Sequence, residues 1–116
     1  MKAPSLAIGR VQVILAQGFL ARLVGLLGQR RLAPDLALLI APCNNVHTFF
    51  MRFAIDVVFI DREGVILAIV PDLVPWRIAA VRRAHGCLEL AAGGAGRFGM
   101  AVGQCLPELA VASLPR

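Results

Sequence analysis

The chain has 116 residues, enough to enclose one hydrophobic core but not two, so a single domain over residues 1–116 is expected. Hydrophobic residues make up 59% and charged residues 16%, which excludes intrinsic disorder, because disordered chains lack apolar surface to bury. The net charge of +5 is carried by scattered arginines, paired only at Arg30-Arg31 and Arg82-Arg83 and without aromatic–basic alternation, which disfavours nucleic acid as a partner.

Taken in chain order, Lys2 would suit the start of a secretory signal, but Pro4, Gly9 and Arg10 break what should be an unbroken apolar run. Residues 11–28 are the most membrane-like stretch. They contain Gln12, Gln17 and Arg22 and are interrupted by Gly18, so they do not read as a span. A cytoplasmic location follows as the expectation, with Cys43, Cys87 and Cys105 reduced. Val11–Leu15 reads as a first strand. Leu20, Leu23, Val24 and Leu27 have helical spacing, which predicts a short helix over 19–27, weakened by Gly25. Pro34-Asp35 marks a turn, and Leu36–Ile40 a short buried strand.

The centre is more explicit. Residues 48–51 read as a strand, Ile55–Ile60 as a second, Asp61 to Gly64 as a turn, and 65–70 as the returning arm of a hairpin. Ile55, Val57 and Phe59 share one face, while Asp56, Val58 and Ile60 share the other. Both faces are mostly apolar, so the hairpin should be covered on both sides. Residues 86–90 form a further strand, and the glycines of 93–98 permit no more than one helical turn. Many short strands with frequent turns predict a mainly β fold: an antiparallel β-sandwich or open barrel with one or two short helices.

The run CNNVHTFFMRFAIDVVFID over 43–61 resembles the bacterial and archaeal family known as domain of unknown function 192. Gly25-Leu26-Leu27-Gly28 followed by Arg30-Arg31 is similar to that family's early Gly-Leu-Met-Gly-Arg segment. Leu88-Glu89-Leu90, Ala92-Gly93 and the glycines at 99 and 103 are similar to its ending, and Pro75-Trp76-Arg77 fits a common variant. The resemblance implies a jelly-roll-like β fold and no particular activity. Many relatives carry export signals, whereas Pro4, Gly9 and Arg10 lead to the expectation of none here. The chain has Ala54 where the family often has Pro, and Gln104 where it often has Asp.

Two constellations carry candidate chemistry. Cys43, His47, His85 and Cys87 are the ligand types of a structural zinc site, although their spacing is looser than a zinc knuckle. The competing readings are two small buried thiols with a loop-bonded histidine, or a Cys43–Cys87 disulfide in an oxidising compartment. His47, Thr48, Asp56 and Glu89 are polar groups in apolar surroundings, and a carboxylate beside a histidine can serve as base and orienter. On the structural reading, Asp56 instead bonds backbone amides after Phe53, and Glu89 faces solvent or pairs with an arginine. Trp76 with Arg77 either rims a pocket or covers the edge of the core.

The leading expectation is a non-enzymatic binding or accessory module. It would hold a small ligand or a protein partner's segment in a groove rimmed by His47, Thr48, Asp56, Trp76, Arg77 and Glu89. The alternative is a small hydrolase-like or metal-assisted enzyme using His47, Asp56 and Glu89, which requires those side chains to converge. A third option is a structural protein that forms a homodimer through an exposed strand edge.

Overall fold

The computed structural model describes residues 5–9, 11–15 and 33–114. The helix expected over 19–27 lies outside the described residues. Eight strands are present: β1 (Ser5–Ile8), β2 (Val11–Leu15), β3 (Leu36–Ile40), β4 (Asn45–His47), β5 (Ile55–Ile60), β6 (Ile66–Leu73), β7 (Ile78–Ala80) and β8 (Gly86–Ala91). A four-residue helix α1 (Gly94–Arg97) and two 3-10 turns, Pro107–Leu109 and Val111–Ser113, follow. Six strands form one sheet in the order β1-β2-β3-β8-β5-β6, and β4 and β7 form a separate two-stranded sheet. The mainly β, open, sandwich-like architecture expected from the sequence is therefore found. One pairing departs from the antiparallel expectation: β2 and β3 are parallel. Parallel neighbours need a crossover of about a dozen residues or more, and the long connection between these two strands supplies that length.

Strand β5 is an interior strand, flanked by β8 and β6, and neither of its faces is polar enough to meet water. All six of its residues are buried, as the two-sided apolar pattern predicts. Its register with β8 (Asp56↔Leu90, Val57↔Glu89, Val58↔Leu88) sorts the residues onto two faces. Val58, Ile60, Leu88 and Leu90 belong to a first core, which Ala95, Leu106 and Leu109 of the C-terminal segment close. Ile55, Val57, Phe59 and Cys87 belong to a second core, which Val46 and Met51 close from the side of the small sheet. Burying each such large side chain contributes roughly 1.5–3 kcal/mol. The two coverings differ in kind: a short helix and 3-10 turns on one face, the β4–β7 ribbon on the other.

The hairpin turn expected at 61–64 is present. Asp61 Oδ1 accepts the N–H groups of Glu63 and Val65, both at 2.9 Å. Gly64 has φ 84°, and a Cβ there would overlap the Leu106 carbonyl, so the turn and the C-terminal segment share a glycine-only contact. The strand expected over 48–51 is not found. Pairing ends at His47, and Met51 N–H returns to the Thr48 carbonyl at 3.2 Å, closing a turn. The side-chain chemistry of Thr48 explains this, as described next.

Candidate functional site

Thr48 is fully buried at the end of β4. Its Oγ1 donates to the Val74 carbonyl (2.7 Å) and accepts the Arg77 N–H (2.9 Å). Its own N–H donates to the Arg77 carbonyl (2.9 Å), and its carbonyl accepts the Trp76 N–H (3.1 Å). One threonine thus replaces the next step of a β-ladder with a clasp on the 74–77 loop. A threonine competing with regular backbone bonds in this way ends a strand.

The clasp displays aromatic rings. Trp76 stacks on Phe49 with centroids 5.6 Å apart and meets Phe50 edge-on at 4.7 Å. The His47 ring lies 5.1 Å from Phe49. Phe50 and Trp76 are 66% and 55% exposed, and Ile78, opposite His47 in the ribbon, is 65% exposed. Phe50 (φ 66°) and Trp76 (φ 67°) both hold left-handed backbone. That region is uncommon for any residue with a side chain and a genuine outlier for a bulky one. The exposed Arg77 guanidinium folds back, its Nη1 donating to the Trp76 carbonyl at 3.3 Å. His47, Thr48, Trp76 and Arg77 are therefore brought together, with Thr48 itself buried. Phe50 and Ile78 complete the surface. Neither has a signal in the sequence: an exposed phenylalanine or isoleucine looks there like any core residue.

Asp56 is not part of this cluster. It is 1% exposed and lies on the other face of the large sheet. Its Oδ1 accepts the N–H groups of Asp72 (2.9 Å) and Gly93 (3.1 Å), and its Oδ2 accepts that of Ala95 (3.0 Å). One carboxylate thus ties β5 to the end of β6 and to the start of α1. The structural reading was right in kind and wrong in place, since these amides are not in the turn after Phe53. Gly93 (φ 85°) and Asp72 (φ 53°) sit in left-handed backbone beside this carboxylate. Glycine and aspartate are residue types that tolerate such backbone.

Glu89 is fully buried on β8, opposite Val57 and Leu38, on the face of the second core. It does not face solvent. Because Asp56 pairs with Leu90 and Glu89 with Val57, the two carboxylates point to opposite sides of the sheet. Asp56 and Glu89 therefore do not meet, and the three side chains of the enzyme alternative are not assembled at one point. The zinc set does not assemble either. His47 shares the outer face of the ribbon with Ile78, whereas Cys43 and Cys87 pack into the second core. Cys87 Sγ donates to the Cys43 carbonyl (3.4 Å), Cys43 Sγ donates to that of Asn45 (2.9 Å), and His85 N–H donates to that of Ile60 (2.8 Å). Among the described residues, no group of three or more His, Cys, Asp or Glu side chains is placed to hold a metal ion. No helix among them is long and apolar enough to cross a membrane.

A separate recess of about 380 Å³ lies on the first-core side between Val11, Arg97, Phe98, Met100, Gln104 and Leu106. It contains none of the expected site residues. Gln104 Oε1 accepts the Ala101 N–H (3.0 Å), a turn bond that the family's more frequent aspartate can also make.

Comparison with known proteins gives a consistent picture of fold and little of function. The model of the family DUF192, described as Uncharacterized ACR, matches residues 3–107. A crystal structure from Sinorhizobium meliloti 1021, described as a candidate transcription regulator, superimposes with a TM-score of 0.70 at 29% identity, covering 80% of this chain and 78% of that one. A protein of unknown function from Novosphingobium aromaticivorans DSM 12444 superimposes with a TM-score of 0.68 at 16% identity, covering 85% and 79% respectively. No functionally curated protein shows significant similarity to the chain.

Proposed function

Since the chain belongs to the DUF192 family, whose activity is uncharacterised, we propose from its geometry that it is a non-enzymatic binding or accessory module. Its contact surface would be the ledge of Phe50, Trp76 and Ile78 beside His47 and Arg77. The observation that carries this reading is the pair Phe50 and Trp76: both exposed, in mutual contact and in left-handed backbone. A left-handed residue with a Cβ costs about 1–2 kcal/mol, and an exposed ring recovers little of that by burial. Conformations held against their own preference are concentrated at functional sites. Tryptophan beside arginine is also a residue pair enriched at the energetic centres of interfaces.

The occupant on this reading is a partner segment rather than an enclosed small molecule, because Phe50, Trp76 and Ile78 are each more than half exposed. Work of the regulatory kind suggested for the Sinorhizobium meliloti protein would need such a surface. The proposal puts the module in the cytoplasm, where the thiols of Cys43, Cys87 and Cys105 stay reduced.

A ledge kept for binding is not kept for stability. Phe50→Asn substitutes a residue that tolerates left-handed backbone, and it is expected to leave stability unchanged or raise it by up to about 1 kcal/mol. Urea unfolding followed by circular dichroism measures this. A loss of more than about 1 kcal/mol would show that the ring supports the fold and would count against the ledge as a contact surface. Binding is tested through Trp76, the only tryptophan, whose emission reports directly on occupation of the ledge.

A further inference from the structure

Among the described residues the ribbon has two strands, so each has a neighbour on one side alone. Thr48 N–H donates to the Arg77 carbonyl and Val81 N–H to that of Asn44, both at 2.9 Å. These bonds fix which pairs in the antiparallel ladder are bonded: 44 with 81, 46 with 79, 48 with 77. The alternate residues, Ile78 and Ala80, therefore turn their N–H and C=O groups away from β4. Among the described residues, nothing bonds those outward groups of Ile78 and Ala80, and both residues are exposed. Open edges are usually guarded. The edge strand β6 illustrates this: it carries an exposed Pro71, and Asp72 turns its N–H inward to Asp56. Strand β7 carries no such proline or inward-turned N–H, and only its length of three residues limits its edge.

The ends of this edge differ in chemistry. At one end stand Trp76, Phe50 and Arg77. At the other, Ala84 N–H bonds the Val81 carbonyl (3.0 Å), closing a turn that holds the exposed Arg82 and Arg83 at its corners. Segments 44–53 and 71–83 together carry Arg52, Arg77, Arg82 and Arg83 against Asp72 alone, a formal net charge of +3. Among the described residues, the segments around the open edge are therefore net positive.

Resting on the contact surface proposed above, we infer that the open edge of β7 takes an extended acidic peptide segment as an added strand. The segment's main chain bonds Ile78 and Ala80, an apolar side chain lies against Ile78 and Trp76, and its carboxylates meet Arg82 and Arg83. Main-chain bonds of this kind supply affinity, while flanking side chains supply specificity. The charge match raises the association rate and selects among partners.

The test titrates the full chain with blocked peptides of alternating valine and threonine, followed by Trp76 emission. One peptide ends in glutamates, one ends in lysines, and a third is the glutamate peptide N-methylated along one edge. The glutamate peptide is expected to bind saturably, and N-methylation to weaken it more than tenfold. Reversal of charge in Arg82→Glu/Arg83→Glu should weaken it about tenfold and admit the lysine peptide. The turn is exposed, and circular dichroism confirms that the variant is folded. Equal binding of the N-methylated peptide overturns strand addition, and equal binding of the lysine peptide overturns charge recognition. Tighter binding of oligothymidylate, or sedimentation showing a dimer that excludes the peptide, replaces the occupant and overturns the inference. So does the absence of any shift with the glutamate peptide at millimolar concentration. If another probe still shifts Trp76 emission, the contact surface survives that failure; if none does, both readings fall.

Discussion

Replacing Asp56 with alanine is expected to cost about 3–5 kcal/mol, because three buried backbone donors lose one charged acceptor at once. The Asp72, Gly93 and Ala95 N–H groups all point at this carboxylate, and at 1% exposure the site has no ready access to bulk water. A small domain has roughly 5–15 kcal/mol of stability in total, so the variant should lose a large share of it and unfold at a clearly lower denaturant concentration. Asp56→Asn keeps one acceptor oxygen but turns an amide N–H toward a backbone donor, so a loss of about 2–3 kcal/mol is expected. Denaturant unfolding monitored by circular dichroism checks both values. The result also bears on function. A catalytic carboxylate can commonly be exchanged for its amide with the fold intact. An Asp56→Asn protein as stable as the parent would revive a chemical role for this side chain and refute the clasp.

The difference between what could be read from the sequence and what could not is visible along β5. Its strand character, its turn at 61–64 and its burial on both faces all follow from alternation and turn residues, and all three are present. So are β3 at Leu36–Ile40 and the core of β8. Parity alone placed Asp56 opposite Ile55, Val57 and Phe59. It could not say which face meets His47, because that depends on the register of β8 against β5, a long-range choice. The same limit applies to the zinc set. Cysteine and histidine spacing says nothing of the ribbon's inward and outward faces, which separate His47 from Cys43 and Cys87.

Other features had no local signal. Left-handed backbone is normally announced by Gly, Asn or Asp, and Phe-Phe-Met and Pro-Trp-Arg contain none of these, so the conformation of Phe50 and Trp76 is imposed by the Thr48 clasp across the chain. Residues 48–51 looked like a strand because β-branched and aromatic residues favour strands. Thr48 diverts its hydroxyl to the 74–77 loop, and that tertiary bond overrides the propensity. Strand β7 is only three residues long and has two alanines, too short and too bland for an alternation pattern to register.

Thr48→Val tests how the clasp and the ledge are linked, with an expected loss of about 2–3 kcal/mol. Valine keeps the β-branched shape and so the backbone preference, and only the hydroxyl goes. The Val74 carbonyl and the Arg77 N–H then lose their partner, while the bonds made by the Thr48 backbone remain. Because the loop lies at the surface, it can recover some bonds from water by opening, and opening releases Trp76 from Phe49 and Phe50. The expected signature is therefore local. Trp76 emission should shift to the red and become more accessible to acrylamide well below the unfolding transition, and the Arg77 amide should exchange faster than the amides of β5. Thr48→Ser keeps the hydroxyl and should restore both readouts most of the way. If Trp76 merely covers the edge of the core, Thr48→Val should lower the unfolding midpoint while leaving native Trp76 emission unchanged. A local release accompanied by weaker binding at the ledge would instead show that Thr48 holds the strained rings ready for a partner.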